Sequence, residues 1–390
     1  MDNFFELTIR KLKEKNMFRK LKKIKKIKKK YIYIGEEKLI DFSSNNYLGL
    51  TDNEKVKEAV IKAINKYGVG SGASRLVTGN TEIHSKFEKE LAEFKGKEKA
   101  LLFNSGYDAN IGIISSIMGK NDIIFCDRLN HASIIDGILL SGARFLRYKH
   151  NDIIDLEKKM EKHIGSYKKI MVVTDSVFSM DGDKAKLKQI SKLKEKYDFI
   201  FMIDEAHGTG VLGENGKGLA EEQEVMDKID LNMGTLGKAF GVQGAYVAGN
   251  SEMIEYLINK SRSLIYTTAI SPIMIAGAQK SLDIIKKEPE RREKIIKMSN
   301  YFRSEIIKLG YNLGESETNI VPIILGDNKK VLELSDKLYQ NGILAPAIRY
   351  PTVEKGKERI RFSINYNLNY EDLDKVINVL KQQKNKRGVK

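Results

Sequence analysis

Short apolar runs alternate with amphipathic stretches through the middle of the chain. Runs of this kind are typical of strands buried on both faces, and the stretches between them are typical of helices. The apolar runs are KALLF at 99–103, NDIIFCD at 121–127, ARFLRYK at 143–149, YKKIMVVTD at 167–175, DFIFMID at 198–204 and GAYVAG at 244–249. Strands that alternate with helices predict an α/β fold with a mostly parallel central sheet and helices on both faces.

The pattern changes near residue 280. A long charged amphipathic helix is predicted over residues 288–311, and shorter strand-like and helical segments follow, with a last helix beginning near Tyr370. This mixture is typical of a small α+β domain. The predicted organisation is a basic N-terminal segment over 1–45, a large domain over 46–280 and a small C-terminal domain over 281–390.

The net charge of +16 is concentrated at the two ends of the chain. Residues 1–30 carry +10 and residues 381–390 carry +5, which leaves +1 for the residues between them. The run KLKKIKKIKKK at 20–30 could bind polyanions, but the nearly neutral body does not favour specific nucleic-acid binding. Its apolar residues Leu21, Ile24 and Ile27 recur every three positions, so we predict a lysine-rich helix packed on the body through them.

The distribution of cysteine, apolar residues and histidine limits the class of protein. Cys126 is the single cysteine, which excludes a disulfide framework and is typical of cytoplasmic proteins. No apolar run reaches the roughly 18 residues of a membrane-spanning helix, and no apolar signal segment begins the chain. We expect a cytoplasmic protein that binds no membrane. The histidines lack metal-ligand spacing, so no metal is expected, and His84 and His163 are predicted to lie on the surface.

The segment MIDEAHGTG at 202–210 resembles the Mg²⁺-binding box of some helicases. A helicase also needs a phosphate loop of the form G-x-x-x-x-G-K-[ST]. The nearest candidate contains GTLGKAFG at 234–241 and fails twice, because Asn232 replaces the first glycine and Ala239 replaces the hydroxyl residue. The segment therefore does not favour a helicase.

Lys238 lies in GTLGKAFG with no other charge around it, whereas most lysines of the chain occur in crowded runs. A lysine in a partly desolvated site has a lowered pKa and can form a Schiff base with a carbonyl compound. Flanking glycines, here Gly237 and Gly241, allow a flat ligand to approach the backbone closely. Pyridoxal 5′-phosphate (PLP) is a cofactor that uses such a lysine.

Residues at predicted strand ends and loops match the other groups that PLP requires. Asp204 could keep the pyridine nitrogen protonated, His207 could meet the 3′-oxygen and His131 could cover the ring. The phosphate needs a helix N-terminus and hydroxyl groups, for which Ser105–Tyr107 and Thr235 are suitably placed. Each residue alone has an ordinary structural explanation, such as a turn or a helix cap, but together they favour a PLP site.

These segments resemble the α-oxoamine synthases, a group of fold-type I PLP enzymes. The resemblance covers nearly all of residues 40–380. The motifs that carry it are FSSNNYLGL, GSGASRLVTGNTEIH, NSGYDAN, DRLNHASIIDG, TDSVFSMDGD, IDEAHGTGVLGENGKG, TLGKAFG and RIRFSIN. The resemblance implies a fold-type I aminotransferase-like fold, PLP as cofactor and a homodimer.

Matched motif by motif, the resemblance also implies roles for individual residues. Lys238 would be the Schiff-base lysine, Asp204 the partner of the pyridine nitrogen, and His131 and His207 the ring contacts. Further cofactor contacts would come from Gly106, Tyr107, Ser179, Thr235 and, in the neighbouring subunit, Thr267. The substrate contacts would come from Asn45 and Arg361 for the amino-acid carboxylate and from Arg19 and Thr352 for the acyl group.

Family members condense an amino acid with an acyl thioester and release CO₂. The segment AIRYPTVEKGKERIRF at 347–362 resembles members that join L-alanine to a pimeloyl thioester, and the alternative is glycine with an acetyl thioester. The sequence leaves open whether the donor is a coenzyme A or an acyl carrier protein thioester. A second class of function, a basic polyanion-binding protein with an enzyme-like fold, would lack the yellow colour of bound PLP.

Overall fold

The computed structural model describes residues 2–387, so residues 388–390 at the basic C-terminus lie outside the described residues. The chain forms two compact units. The large unit contains residues 46–179 and 184–293, and the small unit contains the described residues of 1–45, 180–183 and 294–390. The domain boundaries predicted at residues 45 and 280 stay a prediction.

Strands and helices alternate along most of the chain. The strands are β1 (Ile24–Lys28), β2 (Tyr31–Ile34), β3 (Glu37–Asp41), β4 (Lys99–Phe103), β5 (Ile123–Asp127), β6 (Arg144–Tyr148), β7 (Ile170–Asp175), β8 (Ile200–Asp204), β9 (Leu231–Thr235), β10 (Ala245–Gly249), β11 (Ile320–Ile324), β12 (Ile343–Leu344), β13 (Ala347–Ile348) and β14 (Arg359–Ser363). The α-helices are α1 (Asp2–Glu14), α2 (Glu54–Tyr67), α3 (Glu82–Lys95), α4 (Gly106–Ile117), α5 (Ala132–Ser141), α6 (Ile153–Glu161), α7 (Leu187–Lys192), α8 (Leu219–Glu222), α9 (Ser251–Lys260), α10 (Arg262–Ile265), α11 (Pro272–Lys287), α12 (Glu290–Lys308), α13 (Asn328–Gln340) and α14 (Tyr370–Arg387). None of the helices described over residues 2–387 combines the length and the apolar character that crossing a membrane requires.

A seven-stranded sheet forms the centre of the large unit. Its strand order is β4-β10-β9-β8-β7-β5-β6, and β10 runs antiparallel to both of its neighbours while the other pairs are parallel. Strands β5 and β10 are buried along their whole length, as near-continuous apolar runs predict. The predicted α/β class with a mostly parallel sheet is therefore confirmed.

Helices α4 and α5 carry several of the candidate site residues at or near their N-termini. Helix α4 begins after Ser105, whose hydroxyl accepts a hydrogen bond from the Asp108 backbone N–H at 3.1 Å. The two helices pack closely because Gly137 of α5 has no side chain. A Cβ atom at Gly137 would lie 2.9 Å from the backbone oxygen of Asn110 on α4. This close packing fixes α5 against α4.

The small unit contains two sheets, with strand orders β1-β2-β3-β12 and β11-β14-β13. Its core includes the rings of Phe42, Phe302 and Phe362, which pack against one another. The backbone N–H of Ser363, at the end of β14, donates to the Phe42 oxygen at 2.7 Å. The segment after β3 and the end of β14 are therefore held together although they are far apart in sequence.

The prediction of a lysine-rich helix over residues 20–30 is wrong. Residues 24–28 form the edge strand β1, which pairs antiparallel with β2, and the helix of this region lies earlier, over Asp2–Glu14. Leu21, Ile24 and Ile27 are exposed rather than packed on the body. Three apolar residues give too short a stripe to fix a helix, and pairing with the β-branched and aromatic residues of β2 outweighs it.

The prediction that His84 lies on the surface is also wrong. His84 is fully buried, with Nδ1 2.9 Å from the Thr81 hydroxyl and Nε2 2.9 Å from the Ile270 backbone oxygen. Its charged sequence neighbours concealed this position, because buried and exposed residues are interleaved along α3. His163 is half-buried.

Candidate active site

The carboxyl ends of β7, β8 and β9 meet at one edge of the large sheet. Asp175 ends β7 and pairs in register with Asp204, which ends β8, and both side chains are buried. Burial and the negative charge of Asp204 raise the pKa of Asp175 well above the usual range of a carboxyl group. Asp175 therefore tends to keep its proton and adds no second negative charge beside Asp204.

The Asp204 carboxylate is held at both oxygens. Oδ2 accepts a hydrogen bond from Nδ2 of Asn110 at 2.9 Å, and Oδ1 accepts from the backbone N–H of Ala206 at 2.9 Å. Each carboxylate oxygen can accept more than one hydrogen bond, so the group can still receive a donor from a ligand. A protonated pyridine nitrogen is a donor of this kind.

His207 lies three residues after Asp204 and is held by a tyrosine. Its Nδ1 lies 2.6 Å from the hydroxyl of Tyr47, and both side chains are buried. The short contact fixes the orientation of the imidazole ring relative to the end of β8. Tyr47 lies within the FSSNNYLGL motif, but its pairing with His207 could not be predicted from the sequence.

Lys238 lies in the tight connection between the antiparallel strands β9 and β10. The connection is closed by hydrogen bonds from Gly241 N–H to the Lys238 oxygen at 3.0 Å and from Leu236 N–H to the Gly244 oxygen at 2.8 Å. Gly241 has a φ of 70°, and a Cβ atom there would lie 2.6 Å from the Thr51 nitrogen. Gly241 is thus required for the turn, which presents Lys238 as a half-buried amine.

His131 caps the N-terminus of α5 at the same edge of the sheet. Its backbone N–H donates to Oδ2 of Asp175 at 2.9 Å, and its Nδ1 lies 2.7 Å from the Ser133 hydroxyl. Although the residue is solvent-exposed, desolvation by surrounding protein atoms lowers its pKa. The nearby Asp204 charge opposes this shift, whereas the Lys238 charge adds to it. The ring is therefore mostly neutral near pH 7.

The residues predicted to bind phosphate lie at the N-terminus of α4 and at the end of β9. Gly106 begins α4, and a Cβ atom there would lie 2.6 Å from Cγ2 of Thr235. Tyr107 is partly exposed and its hydroxyl donates to Asp136 of α5. Thr267 is half-buried and accepts a hydrogen bond from Nδ2 of Asn104 at 3.1 Å. Its contact with a second subunit stays a prediction.

Ser179 is half-buried in the large unit, four residues beyond the end of β7. Its contact with the cofactor stays a prediction. Sequence reasoning missed Asn110 and Ser133, which join the site residues by hydrogen bonds, and assigned no role to Asp175. All three lie inside or beside the family motifs, but motif matching does not reveal which side chains meet.

The residues predicted to hold the amino-acid carboxylate meet within the small unit. Arg361 lies on β14 and is buried. Its two terminal nitrogens donate to Oδ1 of Asn45 at 3.3 and 3.2 Å, and Nη1 also donates to the Ser363 hydroxyl at 2.8 Å. A guanidinium group held in this way is a rigid fork that suits a carboxylate.

The residues predicted to contact the acyl group also meet within the small unit. Nη2 of Arg19 donates to the Thr352 hydroxyl at 2.9 Å, although the two residues are 333 positions apart in sequence. Arg349 donates to the backbone oxygen of Asn16, and its burial together with the Arg19 charge lowers its pKa. Arg19 and Arg349 therefore concentrate positive charge beside Thr352.

Comparison with known proteins identifies the family. A sequence model of aminotransferase class I and II matches residues 37–380. The chain belongs to this family. A relative from Acetivibrio thermocellus, named "Putative 8-amino-7-oxononanoate synthase", is 45% identical over 386 residues, which is 99% of each chain.

Two solved structures place this aminotransferase-family chain among the α-oxoamine synthases. A serine palmitoyltransferase from S. paucimobilis with bound PLP has a TM-score of 0.92 at 28% identity and covers 99% of this chain and 98% of its own. An 8-amino-7-oxononanoate synthase from Francisella tularensis has a TM-score of 0.78 at 30% identity and covers 90% of this chain and 98% of its own. The predicted α-oxoamine synthase resemblance, the fold-type I architecture and the PLP cofactor are confirmed.

The residues of the large unit fit PLP. Oγ1 of Thr235 is buried, and no residue in the described part of the chain forms a hydrogen bond with it. A buried hydroxyl without a hydrogen-bond partner destabilises the folded protein unless a ligand forms a hydrogen bond with it. It lies beside Gly106 at a helix N-terminus, where a Cβ atom would close the space. This combination suits a phosphate group.

Proposed function

We propose that the chain catalyses the PLP-dependent condensation of L-alanine with a pimeloyl thioester. The products are 8-amino-7-oxononanoate, which is a precursor of biotin, CO₂ and a free thiol. The observation that carries this proposal is the 45% identity, over 99% of both chains, with a relative that bears the name of this enzyme. The segment at 347–362 supports the same choice.

The alternative function is glycine C-acetyltransferase activity, in which glycine and an acetyl thioester replace alanine and the pimeloyl thioester. The motifs LNHASIIDG and GTLGKA support it, because they resemble those of such enzymes as well. The similarity to serine palmitoyltransferase at 28% identity supports the family but does not select a substrate.

The residues of the large unit would act on the α-carbon of the amino acid. When bound, PLP supplies an aromatic ring that accepts electrons from this carbon. Lys238 would carry the cofactor covalently and, after the amino acid displaces it, take up the α-proton. Asp204 would hold a proton on the pyridine nitrogen, and His207, oriented by Tyr47, would meet the 3′-oxygen.

The residues assigned to the substrates by the resemblance lie in the small unit. Arg361 and Asn45 would bind the amino-acid carboxylate, and Arg19 and Thr352 would contact the acyl group. His131 would cover the cofactor ring and polarise the thioester carbonyl. A new bond joins the α-carbon to the thioester carbonyl carbon, the thiol leaves with a proton, and the carboxylate then leaves as CO₂ and is replaced by a proton.

The charge of the small unit suits either form of the acyl donor. The edge strand β1 has the sequence IKKIK and all five of its residues are exposed. An exposed basic strand attracts polyanions, which include both the phosphates of coenzyme A and an acidic acyl carrier protein. Either thioester is therefore a candidate donor.

We further infer that the enzyme is a cytoplasmic homodimer in which Thr267 reaches the phosphate of the neighbouring subunit.

Product analysis tests the proposed function. The purified protein would be incubated with L-alanine or glycine in combination with pimeloyl or acetyl thioesters, and the products identified by mass. We expect efficient turnover with L-alanine and a pimeloyl thioester, together with release of CO₂. Turnover restricted to glycine and an acetyl thioester would show instead that the alternative function is correct.

A further inference from the structure

A continuous chain of hydrogen bonds connects His131 with Asp204 in the large unit. Nδ2 of Asn110 donates both to Oδ2 of Asp204 and to the Ser133 hydroxyl, each at 2.9 Å. The Ser133 hydroxyl lies 2.7 Å from Nδ1 of His131. Asn110 and Ser133 are each about 1% exposed, so water does not compete for the contacts of Asn110 with Ser133 and Asp204.

The direction of each hydrogen bond in this chain can be assigned. The side-chain amide of Asn110 has two hydrogens, and one goes to Asp204 and the other to Ser133. The opposite orientation of this amide would place its oxygen against the Asp204 carboxylate, which offers no donor. The Ser133 oxygen therefore accepts from Asn110, and its own proton is directed to Nδ1 of His131.

A second donor reaches the same ring nitrogen. The backbone N–H of Ser133 lies 3.3 Å from Nδ1 of His131 and can only donate. Because two donors face Nδ1, this nitrogen acts as an acceptor and carries no proton. The proton of a neutral imidazole must then be on the other nitrogen, Nε2.

We propose that Ser133 and Asn110 are positioning residues that hold His131 as the neutral imidazole with its proton on Nε2 and connect this ring to Asp204. His131 can then offer one hydrogen bond from Nε2, which suits polarisation of a substrate carbonyl. The ring nitrogen at Nδ1 is occupied by donors and is not available as a general base. Proton removal from the substrate is left to Lys238.

The charges around His131 act in both directions on its protonation. Asp204 of β8 and Asp136 of α5 favour the charged ring, while Lys238 of the β9–β10 connection opposes it. Asp175 of β7 accepts a hydrogen bond from the backbone N–H of His131, and its raised pKa favours the protonated carboxyl group. The two donors at Nδ1 add to desolvation and to the Lys238 charge in favouring the neutral form.

The inference rests on the cofactor site and not on the proposed substrates, so its test uses the holoenzyme without substrate. The protein would be labelled with ¹⁵N-histidine, and the His131 signals assigned by their loss in His131→Gln. Two-bond correlations between ring nitrogens and carbon-bound protons distinguish the two tautomers. We expect an unprotonated Nδ1 and a protonated Nε2 near pH 8. A protonated Nδ1 would overturn the proposal.

A variant of Ser133 and a matched control distinguish a specific effect on His131 from a general effect on the structure. Ser133→Ala removes a donor that favours the neutral ring, so the pKa of His131 should rise by up to about one pH unit in an NMR titration. Ser191→Ala is the matched control, because it removes a buried serine hydroxyl that donates at 3.0 Å to the Lys188 oxygen on α7. Equal His131 pKa values in both variants would overturn the role of Ser133.

Asn110→Ala tests the connection to Asp204. It leaves Ser133 in place but removes the group that directs the Ser133 hydroxyl toward His131, so we expect a smaller rise of the His131 pKa than in Ser133→Ala. An unchanged pKa would overturn the part assigned to Asn110. These spectra do not depend on turnover, so a failure of the proposed substrate assignment would be recognised separately by product mass.

Discussion

Arg361→Lys is the sharpest test of the predicted carboxylate site, since it keeps the positive charge and removes the planar guanidinium group with its two parallel donors. In the small unit Arg361 makes contacts at 3.2 and 3.3 Å to one oxygen of Asn45 through two nitrogens. An ammonium group cannot present two parallel donors to a carboxylate while keeping these contacts. The loss of one charged hydrogen bond to the amino acid costs about 1.5–3 kcal/mol, which raises KM for L-alanine about 10- to 150-fold.

The assay would measure initial rates while either L-alanine or the acyl thioester is varied. KM for the thioester should change little, because Arg361 is assigned to the amino acid alone. Arg303→Lys is the matched control, since Arg303 is a partly buried arginine of the same unit that donates to the Thr318 backbone oxygen. An unchanged KM for L-alanine, or equal increases for both substrates, would refute the assignment of Arg361.

Three further predictions concern the large unit. Burial lowers the pKa of Lys95 from 10.5 to about 8, so the unfolded chain binds this proton more tightly. The free energy of unfolding in urea would be measured for the wild type and for Lys95→Met, and the wild-type value minus the variant value should rise by about 3 kcal/mol between pH 8 and pH 10.5. A difference that does not change with pH would contradict this. Gly106→Ala places a Cβ atom 2.6 Å from Thr235. Because this atom would displace Thr235 from the predicted phosphate site, PLP binding should weaken by about 1–3 kcal/mol, or at least fivefold, and unchanged affinity in a fluorescence titration would argue against this phosphate site. Burial raises the pKa of the Cys126 thiol to about 12, so a thiol reagent at pH 8 should label only the denatured protein, and rapid labelling of the native protein would count against this burial.

Apolar runs predicted most strands of the large sheet because those strands are buried on both faces. Strand β9 was not predicted, since its sequence LNMGT contains two polar residues and a glycine and therefore lacks a continuous apolar run. The strand β1 was mistaken for a helix, because its pairing with β2 depends on a neighbour in space. Residues 180–183 group with the small unit through contacts that no local pattern reveals.

The candidate site was predictable as a set of residues but not as a set of contacts. Lys238, Asp204 and His131 occur in long motifs that resemble those of PLP enzymes. Asn110 and Ser133 also lie in those motifs, yet the hydrogen bonds that give them a role depend on the packing of α4 against α5. Such contacts are set by tertiary structure, so spacing along the chain does not predict them.

The identity of the lysine that carries the cofactor is the central claim, and one measurement tests it directly. The yellow holoenzyme would be reduced with borohydride, digested and analysed by peptide mass, with Lys238→Ala treated in parallel. We predict that the pyridoxyl mass is found on the peptide containing Lys238 and that the variant lacks both the modified peptide and the visible absorbance of the linked cofactor. Modification of another lysine in the wild-type protein, or an unchanged absorbance in Lys238→Ala, would contradict the account.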